Sequence, residues 1–294
     1  MGARGEVALF RAFIKSFNAL GPEALAKEYH GNRYQVTFQQ ARGAGRSTPR
    51  CELCDVLIIH YPAGNPSAAR LTFNQAKAAS KPLGCLGLAS LHQPYSFGAN
   101  LEQWDLLSNR PLVRPATKTF QPPSDLLSGA LLPSVGSFGV FYPASAGFEF
   151  AYFVADRLNP LRNGPSRSGT LQWTHPLHQL RKVAGYTEVL GTCCIRKFGE
   201  ALELGHVGTP VLHLLSRSAE LRAWLAGALV ALGREHRESQ LPQELLTGLE
   251  LGRSVEDGTS RRGEEPAPVR AVILVRTESS RHGEKANKGM ERTA

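Results

Sequence analysis

Asp55 and the triplet Gln75-Ala76-Lys77 set an acid, an amide and an amine about twenty residues apart on two strand-like runs. A carboxylate such as Asp55 is a hard oxygen ligand suited to Mg2+ or Mn2+. A metal held there polarises a phosphate and lowers the pKa of a bound water. Lys77 can orient or deprotonate that water, or offset charge building on phosphorus. Gln75 offers a neutral amide oxygen, and the Ala76 carbonyl can complete the coordination. Together these groups point to metal-dependent phosphodiester cleavage.

Positioning them requires a hairpin. Residues 54–61 and 70–77 read as strands, and Pro62, Gly64, Asn65 and Pro66 between them are turn formers. Folding about Pro66 sets Asp55 opposite Lys77, with Gln75 one step away. Alternation along a strand then gives Asp55, Gln75 and Lys77 one face, provided no bulge intervenes.

The surrounding elements follow from periodicity. Val7, Phe10, Ile14 and Phe17 recur at helical spacing over residues 5–20. Pro22 is expected to open a second short helix running to about Tyr29. Residues 34–38 read as a strand, and 41–50 as a mobile basic loop rich in Gly and Arg. A short helix is expected over 100–108, an extended loop or lid over 110–133, and strands over 135–142 and 148–154. Residues 159–169 read as a loop, 178–190 as a helix and 209–215 as a strand. The helix over 218–236 is the clearest of the second half, with Ser218 as its N-cap. Residues 252–268 are polar and charged, as in disordered segments, and 269–275 read as one late strand before a flexible tail.

Asp, about twenty residues, then acid-x-Lys on the next strand resembles the restriction-endonuclease-like PD-(D/E)xK nucleases. Gln75-Ala76-Lys77 looks like the variant with Gln for the second acid. The run Cys51-Glu52-Leu53-Cys54-Asp55 and the segment from Gln103 to Pro111 are also similar to uncharacterised bacterial proteins. The resemblance covers roughly residues 5–110. It implies an α/β fold with an αβββαβ core, and additional α and β elements in the C-terminal half. Residues 1–110 would form the nuclease-like core, 111–251 the rest of the core or an accessory subdomain, and 252–294 a mostly flexible tail. It further implies Mg2+ or Mn2+ held by Asp55, Gln75 and the Ala76 carbonyl, with Lys77 positioning water. These folds often add a Glu from the preceding helix, and Glu28 matches best, ahead of Glu23. Glu52 is a third choice, because three residues from Asp55 on one strand would point it to the opposite face.

The chain has 294 residues, 42% of them hydrophobic, and a net charge of +9. Eight Lys/Arg against three acids through Arg50 make the first segment basic. A basic balance favours polyanionic partners, DNA first, with Arg33, Arg42, Arg46 and Arg50 as phosphate contacts. The resemblance suggests bacterial restriction, repair or defence, in a homodimer or with a partner protein. The chief alternative keeps the fold without catalysis, as a nucleic-acid-binding or assembly module; Gln75 motivates it. A second alternative is a zinc-stabilised scaffold drawing on Cys51, Cys54, His175, His178, Cys193 and Cys194. Five cysteines, an odd number, do not resemble a secreted disulfide framework, so cysteines are expected as small buried apolar groups. His60, next to the turn, reads as a surface residue. No apolar run reaches the length of a membrane span, and Arg11 and Lys15 interrupt the first apolar positions, so a cytoplasmic protein is expected.

Overall fold

A computed structural model of the chain describes residues 5–29, 34–43, 45–84, 94–252 and 269–278. The first half contains α1 (Glu6–Asn18), β1 (Ala24–Glu28), β2 (Gln35–Phe38), β3 (Arg50–Glu52), β4 (Val56–Pro62), β5 (Arg70–Ala78), β6 (Tyr95–Asn100), α2 (Leu101–Asn109), β7 (Val113–Pro115) and β8 (Gly136–Ala144). Then come β9 (Gly147–Val154), β10 (Asn159–Pro160), β11 (Ser168–Trp173), β12 (Leu180–Val183), β13 (Tyr186–Val189) and β14 (Gly191–Thr192). The last elements are α3 (Ile195–Glu203), β15 (Thr209–Pro210), α4 (Val211–Leu215), α5 (Ala219–Glu235), α6 (Leu241–Gly248) and β16 (Ala271–Thr277).

The fold is α/β, built on an eight-stranded mixed sheet. Its order is β1-β16-β4-β5-β8-β9-β14, with β15 added to β5. Strands β4 and β5 form the expected antiparallel hairpin, and β5 runs parallel to β8. The segment joining that parallel pair carries α2, as a crossover must. Side-chain alternation divides the sheet between two cores. Val56, Ile58, Ala76 and Ile273 join Phe10, Phe13 and Phe17 of α1 and Phe198 of α3. Leu57, Ile59, Phe73 and Leu274 face Leu107 of α2, Leu225 of α5 and Leu245 of α6. Helices therefore cover both faces, which is why β4 and β16 read as largely apolar runs.

Several expectations need correction. Residues 24–28 are a strand, not a helix: Pro22 opens only a three-residue 3-10 turn, Gly21–Glu23. Pairing with β16 overrides the weak local helical preference. The outer side of β1 is finished by Asn18, whose side chain donates to the Ala26 carbonyl (2.8 Å) and accepts from its N–H (2.7 Å). The strand at 34–38 exists, but it lies in a separate three-stranded sheet with β3 and β7. Its expected place beside the hairpin belongs to β16, which runs parallel to β4.

Residues 178–190 form the β12–β13 hairpin instead of a helix. Its turn places Ala184 (φ 48°) and Gly185 (φ 82°) in the left-handed region, the signature of a tight primed turn. Residues 211–215 are helical, and only Thr209 and Pro210 pair with β5. A short apolar run does not by itself distinguish strand from buried helix. The helices at 5–20, 100–108 and 218–236 are present as α1, α2 and α5, and the Ser218 hydroxyl accepts from the Leu221 N–H as an N-cap. The expected disordered stretch 252–268 lies outside the described residues from 253 onward, and the tail does so from 279.

Candidate functional site

The hairpin brings Asp55 and the Gln75-Ala76-Lys77 triplet together, in a register two residues from the one expected. Val56 pairs with Asn74, so the next step sets Asp55 beside Gln75 instead of Lys77. The Asp55 N–H donates to the Asn74 carbonyl at 3.0 Å. Two consecutive residues thus share Asn74, the pattern of a bulge. Asp55 sits just before β4 begins, where β5 still continues. There its Oδ2 accepts from the Ala76 N–H at 2.9 Å and takes the place of a missing strand carbonyl.

The second carboxylate oxygen is engaged too. Arg270 Nη1 donates to Asp55 Oδ1 at 3.0 Å, and the same atom lies 3.5 Å from Glu52 Oε2. Its guanidinium also lies over the Phe10 ring, 5.8 Å from the centroid. Arg270 immediately precedes β16, and the parallel register with β4 delivers it to this rim. Burial and the Asp55 charge raise the Glu52 carboxyl above its ordinary range, while Arg270 and Lys77 oppose the rise. Lys77 Nζ lies 3.6 Å from Glu6 Oε1 in the first turn of α1. Acids and cations therefore alternate along the rim.

Gln75 is fully buried. Its Nε2 approaches the Glu52 carbonyl at 3.5 Å, and its Oε1 has no hydrogen-bond partner. Glu28 stands on β1, two strands from β4 and thus roughly 10 Å away; its carboxylate pairs with Arg11 at 3.2 Å. Glu23 pairs with Arg276 at 2.6 Å. The structure instead groups Glu52 with Asp55. Parity along one strand does not connect the two, because β3 ends at Glu52 and β4 begins only at Val56.

The basic loop is anchored. Asp105 of α2 accepts from the Ala41 and Arg42 N–H groups at 3.0 and 3.2 Å. Glu102, wholly buried, accepts from Arg46 Nε at 2.7 Å and from the Arg46 and Arg50 N–H groups. Burial alone would raise the Glu102 carboxyl; the bonds from Arg46 and Arg50 hold it below its ordinary value. Arg42 lies over Trp104, and Arg50 Nε bonds Gln35. Three of the four expected phosphate contacts thus have partners within the protein. The fourth, Arg33, lies outside the described residues.

Mg2+ does not fit these side chains as they stand. Both Asp55 oxygens are committed, and a guanidinium lies between the two carboxylates. Among the described residues, no three His, Cys, Asp or Glu side chains gather closely enough to hold a metal ion. The zinc set is no better arranged. Cys51 and Cys54 are buried thiols, pushed up in pKa by that burial, and Cys193 is disulfide-bonded, against the expectation of a lone thiol. His60 is buried, not at the surface, with Nε2 2.7 Å from the Val207 carbonyl. Among the described residues, no helix is long and apolar enough to cross a membrane.

Arg270 and Glu6 escape sequence reasoning because neither lies near the hairpin in the chain. The one available signal is the placement of Arg270 just before the apolar run 271–275. Comparison with family models, curated proteins and solved structures found no match.

Proposed function

We propose that the chain is a non-catalytic module that binds nucleic acid, with a hairpin rim resembling that of the PD-(D/E)xK nucleases. One observation carries this reading: Asp55, the acid that cleavage would require, spends both oxygens on the Ala76 N–H and Arg270. It acts as a ladder cap and an ion-pair partner. The net charge of +9 supports a polyanionic ligand, DNA first. Binding through phosphates would weaken steeply with salt. The test is anisotropy of a labelled 30-base-pair DNA at 50 and 200 mM salt, with Mg2+, with Mn2+ and with EDTA. Expected is salt-sensitive binding, indifferent to EDTA, with the DNA intact. Absence of binding at 50 mM salt refutes the reading.

A second reading, Mg2+-dependent hydrolysis of DNA, is favoured by the nearness of Asp55 and Lys77 to Glu52 and by the unpartnered Gln75 oxygen. Metal-dependent cleavage lost in both Asp55→Ala and Lys77→Ala would establish it. Either activity could serve restriction, repair or defence, alone, as a homodimer or with a partner protein.

A further inference from the structure

We propose that Arg270 is the resident cation of the Asp55–Glu52 site, filling the place a divalent ion would take. The geometry is that of a bridging cation. One nitrogen, Nη1, reaches Asp55 Oδ1 at 3.0 Å and Glu52 Oε2 at 3.5 Å. A second observation points to the same place. The amide of fully buried Gln75 rests against the Glu52 carbonyl, and its Oε1 is an acceptor without a donor. Carboxylate and amide oxygens are the ligands hard divalent cations take, and a buried oxygen left unpaired is uncommon. A guanidinium has a single charge and a planar array of donors. It can neutralise one carboxylate and approach the second, but it leaves that amide oxygen unserved.

The inference concerns metal binding alone and stands whether or not the chain binds DNA. Arg270 is supplied by the strand inserted between β1 and β4, so the charge balance of the rim is built into the sheet. The protein should then be indifferent to divalent metals, and removing the guanidinium should create affinity for them.

The experiment is Mn2+ titration followed by electron paramagnetic resonance, on the full chain and on Arg270→Gln, Arg270→Lys and Arg270→Gln/Asp55→Asn. Expected is at least tenfold tighter binding of one Mn2+ by Arg270→Gln than by the unaltered protein. Arg270→Lys, which keeps a cation, should show no gain, and the double variant should lose it. Equal affinity in the unaltered protein and Arg270→Gln overturns the proposal. Thermal unfolding of the unaltered protein with 5 mM Mn2+ or EDTA needs no variant to fold. The midpoint should not move, and stabilisation by Mn2+ overturns the proposal as well.

Discussion

Replacing Asp55 and Arg270 singly and together measures how far the rim depends on their pairing. The two side chains are 9% and 25% exposed, with 3.0 Å between Oδ1 and Nη1. Exposed pairs couple by less than about 1 kcal/mol. Stranding one partner of a fully buried pair costs about 3–5 kcal/mol. The pair lies between these limits, nearer the buried one, so a coupling of about 2 kcal/mol is expected. Asp55→Ala should cost about 4 kcal/mol, because it also leaves the Ala76 N–H without its acceptor, a loss of about 1–3 kcal/mol. Arg270→Gln should cost about 2 kcal/mol. The double variant should then cost about 4 kcal/mol, not the 6 or so that independence would give. Asp55→Asn retains a carbonyl for Ala76 and should cost about half as much as Asp55→Ala. Urea unfolding at pH 7 reads all four. A coupling below about 0.5 kcal/mol would refute the reasoning, since distant sites add to within that margin.

Further outcomes follow from other buried groups. Burial lowers the His60 pKa to about 4. The unfolded chain therefore takes up the proton first as pH falls, and stability is lost between about pH 6.5 and 4. His60 alone should account for about 2 kcal/mol of loss from pH 7 to pH 5, and His60→Gln should flatten that slope in paired urea titrations. Gly208→Ala should destabilise far more than Gly64→Ala. Both have positive φ, but an added Cβ at 208 would clash with the Leu71 carbonyl oxygen, whereas at 64 it meets nothing within 4 Å. Melting temperatures should separate the two, and equal shifts would show that the backbone at Leu71 yields. Glu102→Gln should release the loop around Arg46 and Arg50 and speed tryptic cleavage there, while unchanged cleavage would show that other contacts hold it.

The hairpin was legible because its strand-like runs and the turn residues between them agree locally. Its register was not. Symmetric folding about Pro66 ignores the 3-10 turn at Pro66–Ala68 and the bulge at Asp55. The helices α1 and α5 were readable from their apolar spacing, whereas β1 was hidden because its only reason to extend is β16, more than two hundred residues away. The same distance concealed Arg270. Arg42 and Arg46 looked like free cations because the groups that engage their guanidiniums, the Ser108 carbonyl and Trp104 ring for Arg42 and the Glu102 carboxylate for Arg46, belong to a helix some sixty residues on. Local pattern shows which residues carry charge, while tertiary pairing decides which charges remain available.

The outermost strand of a sheet is a template onto which a second polypeptide can zip, and β1 is such a strand. Asn18 closes off its midpoint by imitating a neighbouring peptide group, presenting one acceptor and one donor to Ala26. Runaway stacking of copies is thereby discouraged at the margin where a predominantly apolar sheet is most vulnerable, and a single amide suffices for it.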